Sequence, residues 1–172
     1  MNKLIFLFIL HTVFSTISVA QEESTNKKTI IYLQAGGPSV VASINYERIL
    51  LEKKIFQVNA RFGIGTNRFK DFTNSINPDL TFPLGFAVNF KIKQMQKSQF
   101  NTKIGLGNTF TSIVMTGSDF SPTRQNSQNG YASVDAVWKN DKGIYLGLGY
   151  SPIFVRYKSL YHWGQLSIGY LF

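Results

Sequence analysis

From Thr29 to the end of the chain, apolar and polar residues alternate on a period of two, the spacing that sends successive side chains to opposite faces of a β-strand. Turn-forming residues break this alternation into eight segments, at about residues 29 to 36, 39 to 49, 55 to 66, 80 to 91, 99 to 112, 130 to 139, 143 to 156 and 162 to 172. The connections are tight at Gly36-Gly37-Pro38, short at Leu51 to Lys54, long at Asn67 to Asp79 and short at Gln94 to Ser98. The longest runs from Ile113 to Asn129, followed by a tight turn at Asn140-Asp141-Lys142 and a medium loop at Tyr157 to Tyr161. After the first hairpin long and short connections alternate, the arrangement of an up-and-down antiparallel meander with loops at one end and turns at the other.

A repeat supports this register. Arg61-Phe62-Gly63-Ile64-Gly65, Lys103-Ile104-Gly105-Leu106-Gly107 and Tyr145-Leu146-Gly147-Leu148-Gly149 share one pattern and start 42 residues apart both times. The period is two strands long, so the repeat falls on the third, fifth and seventh segments and puts paired glycines on one face each time. The glycines lie inside alternating strands with no GxGxxG or GxxxxGK around them, which excludes a phosphate-binding loop.

Volume decides which face points inward. One face carries Phe56, Val58, Phe62 and Ile64 in the third segment, and Leu80, Phe82, Leu84, Phe86, Val88 and Phe90 in the fourth. The fifth, seventh and eighth continue the same way, and an eight-stranded barrel is too narrow to hold roughly thirty such groups. The other face carries glycines with Ser43, Asn45, Gln57, Asn59, Asn89, Asn101 and Ser133, which do fit. The apolar face must then look out into hydrocarbon, and most segments reach the roughly 9 to 11 residues that a tilted strand needs to cross a bilayer. In lipid each unpaired backbone group costs several kcal/mol, so the first and last strands are expected to pair and close the sheet. Pro83 and Pro152 interrupt two strands, at places expected near the outer ends where a bulge or rim is tolerated.

The final segment is the most specific stretch. Counting back from Phe172, alternate positions are Phe172, Tyr170, Ile168 and Leu166, against Gly169, Ser167 and Gln165 on the other face. This resembles the C-terminal strand of bacterial outer-membrane β-barrels, which ends on Phe behind alternating apolar residues. The resemblance implies that Phe172, Tyr170, Ile168 and Leu166 serve as the signal read by the barrel-assembly machinery. The expected fold class is all-β, an eight-stranded antiparallel transmembrane β-barrel, spanning 29 to 172.

The start of the chain agrees with export. Lys3, the apolar run Leu4 to Leu10 and the small-residue ending Ser18-Val19-Ala20 form a secretory signal peptide over 1 to 20, with cleavage expected after Ala20. It is too short and too interrupted by His11, Thr12, Ser15 and Thr16 for a membrane helix, which needs about 20 apolar residues. Gln21 to Lys28 is polar and charged and reads as a linker. The expected location is the outer membrane. With no cysteine, lipoprotein attachment, disulfides and thiol chemistry are excluded.

Lys3 is the one charged residue of the leader, so the formal net charge falls from +9 to +8 on its removal. The bases, among them Lys53, Lys54, Lys91, Lys93, Lys97, Lys139 and Lys142, are scattered in what read as short connections, which excludes a nucleic-acid face and suits anionic headgroups. Arg68, Lys70, Arg124, Arg156 and Lys158 fall at the outer rim, where lipopolysaccharide phosphates lie. They are the candidate contacts to that lipid.

Four charges fall on the inner face: Glu47, Arg61, Lys103 and Asp135. In a narrow interior they are expected to form a mixed hydrogen-bonded network, as in the plugged OmpA-like and OmpX-like barrels that the chain resembles. His162 near the outer rim, with Ser151 and Ser159, is the nearest approach to a lipid-modifying enzyme, but no acid accompanies them. No cofactor or metal site is expected. The reading is a monomeric, non-enzymatic barrel presenting outer loops, in contact with outer-membrane lipid and lipopolysaccharide. A rim enzyme acting on lipid A or phospholipid, and a narrow channel or carrier of an apolar ligand, are the alternatives.

Overall fold

A computed structural model describes residues 28–71, 73–116, 121–155 and 160–172. The signal peptide, its cleavage point after Ala20 and all of the 21 to 28 linker except Lys28 lie outside the described residues. Eight strands follow one another: β1 (Thr29–Gly36), β2 (Ala42–Glu52), β3 (Phe56–Thr66), β4 (Leu80–Met95), β5 (Ser98–Thr116), β6 (Pro122–Asn140), β7 (Ile144–Phe154) and β8 (Leu160–Leu171). Each pairs antiparallel with the next, and β1 closes the barrel on β8 through a ladder from Ile30 opposite Leu171 to Gly36 opposite Gln165. The last residue is tied into this seam, since Phe172 N–H donates to the Thr29 carbonyl at 2.8 Å.

The two faces divide as volume requires. Phe86, Leu106, Leu148 and Leu166 are each 60% exposed or more on the outside, whereas Tyr32, Glu47, Asn59 and Asn101 on the inside are at most 1% exposed. The outer surface is therefore a continuous apolar band of the kind that hydrocarbon covers, and the polar groups are enclosed.

Several strand assignments differ from the alternation pattern. The second strand begins at Ala42, because Gly37–Ser39 form a buried 3-10 turn. That turn needs left-handed backbone at Gly36 and Gly37, and it packs against β3, β4, β7 and β8 at the end of the barrel away from the β1 start and β8 end. The expected longest loop, Ile113 to Asn129, is instead the top of one hairpin: β5 runs on to Thr116 and β6 starts at Pro122, with pairing unbroken from Ser98 opposite Asn140 to Thr116 opposite Pro122. The uniformly polar run Thr123 to Asn129 hid these strands, since beyond the apolar band neither face needs to be apolar. Lys91, Lys93 and Lys139 belong to strands rather than connections, and Lys139 turns inward.

Each proline interrupts one of the two ladders of its strand, while the other continues through it. Between β3 and β4 the pairing skips from Phe62 opposite Leu84 to Gly65 opposite Thr81, passing over Pro83. A side chain at Gly63 would come within 2.9 Å of the Pro83 ring, so the glycine makes room for it. Between β6 and β7 the pairing skips from Tyr131 opposite Ile153 to Val134 opposite Tyr150. There Pro152 has no N–H to give to Ala132, and the Ser151 hydroxyl donates to the Ala132 carbonyl at 2.8 Å instead.

Candidate functional site in the lumen and at its two mouths

The lumen is built around Glu47 of β2. One carboxylate oxygen accepts from Lys103 Nζ at 3.1 Å and from the Tyr32 hydroxyl at 3.2 Å, and the other from the Asn59 amide at 2.5 Å. Lys103 also donates to the Tyr145 hydroxyl at 2.9 Å and lies 5.2 and 5.5 Å from the ring centres of Tyr32 and Tyr145. Desolvating a cation here is offset by a carboxylate, a phenol oxygen and two aromatic faces.

Arg61 occupies the next position with no carboxylate within ion-pair distance among the described residues. Its Nε donates to Asn45 Oδ1 at 3.0 Å and its Nη2 to Gln34 Oε1 at 2.5 Å, with the guanidinium 5.7 and 5.8 Å from the centres of Tyr32 and Tyr131. Asp135 accepts from the Gln165 amide. The four inward charges thus share one interior, but only Glu47 and Lys103 form an ion pair among the described residues. Within this mixed interior Asp135 is held by a neutral amide.

Sequence reasoning passed over Tyr32, Tyr131, Tyr145 and the buried amides that carry most of this network. A signal was available. Arg61, Lys103 and Tyr145 each open one copy of the RFGIG-type repeat, and all three are buried. A fifth inward charge was also missed, Lys139, whose Nζ donates to Gln57 Oε1 at 3.3 Å. Gln57 in turn donates to Glu52, which pairs with Lys91 at 2.7 Å.

At the same end as the Gly37–Ser39 turn, the connection between β3 and β4 folds around Asp71. Its carboxylate accepts from Thr73 N–H at 2.9 Å, Thr73 Oγ1 at 2.6 Å, Ser75 N–H at 3.2 Å and the Asn77 amide at 3.2 Å. These bonds, the Thr73 hydroxyl foremost, hold the Asp71 carboxyl below the usual carboxylate range. Asp79 accepts from Val114 N–H at 2.7 Å and Arg68 donates to the Val114 carbonyl at 2.7 Å, so this connection caps the free edge of β5. Both Val114 backbone groups point away from β6. In an antiparallel pair its partner Arg124 then points both of its own away from β5, and so do Asn126 and Gln128. Among the described residues, pairing of β6 with β7 begins at Gly130, so these three residues have no ladder partner on that side there.

Of the outer-rim bases, Arg68 is engaged with Asp79 and Val114, and Arg124 donates to Asn77 Oδ1 at 2.9 Å. Lys70 bridges Ile76 through the backbone. Arg156 and Lys158 lie outside the described residues, as does Ser159. His162 is hydrogen-bonded through Nδ1 to the Tyr150 hydroxyl and stacked on that ring at 5.9 Å, while the Ser151 hydroxyl is committed to Ala132. No three His, Cys, Asp or Glu side chains cluster among the described residues. Tyr170, Ile168 and Leu166 sit on the outer face of β8, and Phe172, just beyond its end, is exposed as well.

No protein-family model matches the chain, and no curated protein matches its sequence. Among solved structures, the N-terminal β-barrel domain of Pseudomonas aeruginosa OprF aligns with a TM-score of 0.51 at 11% identity, over 84% of this chain and 96% of that one. Neisserial surface protein A (NspA) aligns with a TM-score of 0.55 at 12% identity, over 87% of this chain and 100% of that one. At such identities the likeness is one of architecture, and it agrees with the inside-out distribution of polarity around the closed meander. The chain has the fold of the small eight-stranded outer-membrane β-barrels.

Proposed function

We propose that the protein is an integral outer-membrane barrel without enzymatic activity, an envelope scaffold or surface interaction protein that presents its outer connections from a rigid, filled cylinder. The observation that carries this reading is the combination of a fully apolar outer band with a lumen occupied by Glu47, Lys103, Arg61 and the three tyrosines. Such an interior leaves no continuous water column. Planar-bilayer recording on the refolded protein tests it: no stable conductance is expected, and a reproducible open level in the unmodified protein would overturn the plugged scaffold.

In this orientation the turns and both ends of the barrel face the periplasm, and Arg68, Lys70, Arg124, Arg156 and Lys158 meet lipopolysaccharide at the outer rim. Each surface contact contributes roughly 1 kcal/mol or less, so the effect is collective. Neutralising all five is expected to weaken binding to phosphorylated lipid A, and equal binding to the dephosphorylated form would leave them as solubilising charge. The exposed Phe172, Tyr170, Ile168 and Leu166 are proposed as the assembly signal. Deleting Phe172 is expected to lower the yield of folded barrel in cells more than deleting residues 21 to 28, and equal yields would remove that assignment.

A further inference from the structure

The periplasmic mouth of the proposed topology, the end that carries both ends of the barrel, holds a cavity of about 320 Å³. Its walls are the β4–β5 turn, the β6–β7 turn and the side chains of Glu52, Gln57, Gln99 and Lys139. Lys139 is 5% exposed and reaches the cavity, yet of its three N–H donors the one hydrogen bond formed among the described residues goes to the Gln57 amide oxygen, at 3.3 Å. No carboxylate lies within ion-pair distance of it among the described residues. Of the two acids in the wall, Glu52 and Asp141, Glu52 is held by Lys91 at 2.7 Å and by Gln57 at 2.7 Å, and Asp141 lies in the exposed β6–β7 turn.

The lumen therefore encloses two acids, Glu47 and Asp135, against three bases, Arg61, Lys103 and Lys139; Arg61 is held by two amide oxygens and two aromatic faces, whereas Lys139 has a single amide contact and borders an open cavity. A buried ammonium with free donors is costly unless an anion meets it. Polar groups behind the cavity are short of partners as well: the side-chain amides of Asn89 and Asn101 are buried with neither nitrogen nor oxygen bonded within the described residues. Asn89 is the ladder partner of Gln57, and Asn101 that of Lys91. The remaining wall is rich in amides, from Gln57, Gln94, Gln96 and Gln99.

We propose that this mouth is a binding site for a small carboxylate that also carries amide groups, of about dipeptide size, with the carboxylate on Lys139 and the amides on the glutamine wall. The cation sets the charge of the ligand end, and the glutamines, each both donor and acceptor, match a peptide bond. The volume lies at the small end of the roughly 300 to 1,000 Å³ of ligand pockets, which limits the occupant to a few residues.

The test is an amide-resolved NMR titration of the refolded full-length barrel with three probes: acetyl-alanyl-alanine, its C-terminal carboxamide, and inorganic phosphate. Acetyl-alanyl-alanine is expected to shift the backbone signals of Gln57, Gln99 and Lys139 saturably, and the carboxamide to bind about tenfold more weakly or worse. Lys139→Met is expected to lose the binding, while Lys93→Met, on the same strand as Lys91 but outside the cavity wall, retains it. Equal binding of peptide and carboxamide, absence of any saturable shift, or binding of phosphate in place of the peptide would each overturn the proposal. The titrations on the unmodified protein decide the matter even if Lys139→Met does not refold, and they are independent of the conductance measurement.

Discussion

Glu47 of β2 and Lys103 of β5 meet across the lumen at 3.1 Å, with side chains 0% and 4% exposed, although neither is the ladder partner of the other. The ladder places Glu47 opposite Arg61 and Lys103 opposite Asp135. Pairing across the lumen braces strands that share no backbone bonds. Removing one partner, by Glu47→Gln or Lys103→Met, is expected to cost about 3 to 5 kcal/mol, because the other charge is left buried alone. The double substitution should cost clearly less than the sum, as read from denaturant unfolding in detergent or lipid. Strict additivity would mean the two groups do not act as a pair.

Asp135 is expected to behave differently. Its partner is the Gln165 amide, so Asp135→Asn retains a carbonyl acceptor and should destabilise the barrel by less than either change at the central pair. The same unfolding series measures this.

Ser151 and Pro152 form a compensating unit. Ser151→Ala leaves the half-buried Ala132 carbonyl without its donor and is expected to cost about 1 kcal/mol. In a Pro152→Ala background, where a backbone N–H becomes available to the ladder, the same change should cost less. An unchanged cost would show that the hydroxyl does not stand in for the missing N–H.

The hairpin of β5 and β6 should show one protected and one open edge. Val114 N–H, held by Asp79, is expected to exchange slowly with deuterium, and Asp79→Ala to speed it. The amides of Arg124, Asn126 and Gln128 should exchange fast in the unmodified protein. A tag inserted at Gln125 should be reachable on intact cells, and detection only after permeabilisation would invert the proposed topology.

The outer connection should be sensitive to acid. The folded Asp71 carboxyl is depressed relative to its unfolded value, so its stabilising effect is fully present above the unfolded aspartate value of about 3.9 and is lost as pH falls through the folded value. Protection of the Thr73 and Ser75 amides should hold from neutral pH down to that range and then collapse. Asp71→Asn should reduce it at neutral pH.

How far the molecule was legible depended on what kind of information each feature needed. In the membrane band, burial alternates residue by residue, so Leu166, Ile168, Tyr170 and Phe172 against Gln165, Ser167 and Gly169 declared both faces of β8 from sequence. Above the band water contacts both faces, no alternation is imposed, and the run from Thr123 to Asn129 read as loop while its backbone formed a ladder.

The interior divides along the same line. That Glu47, Arg61, Lys103 and Asp135 point inward is a matter of parity along a strand, which the chain carries by itself. Which charges touch depends on the stagger of eight strands around a closed ring, and that closure brings Lys103 to Glu47, gives Asp135 to Gln165 and leaves Lys139 over an open cavity. Local alternation determined the strands, their faces and the closed sheet, because lipid tolerates no other disposition of those residues. The pairing inside it was decided only when the first strand met the last, because distances across a lumen exist only in the assembled barrel.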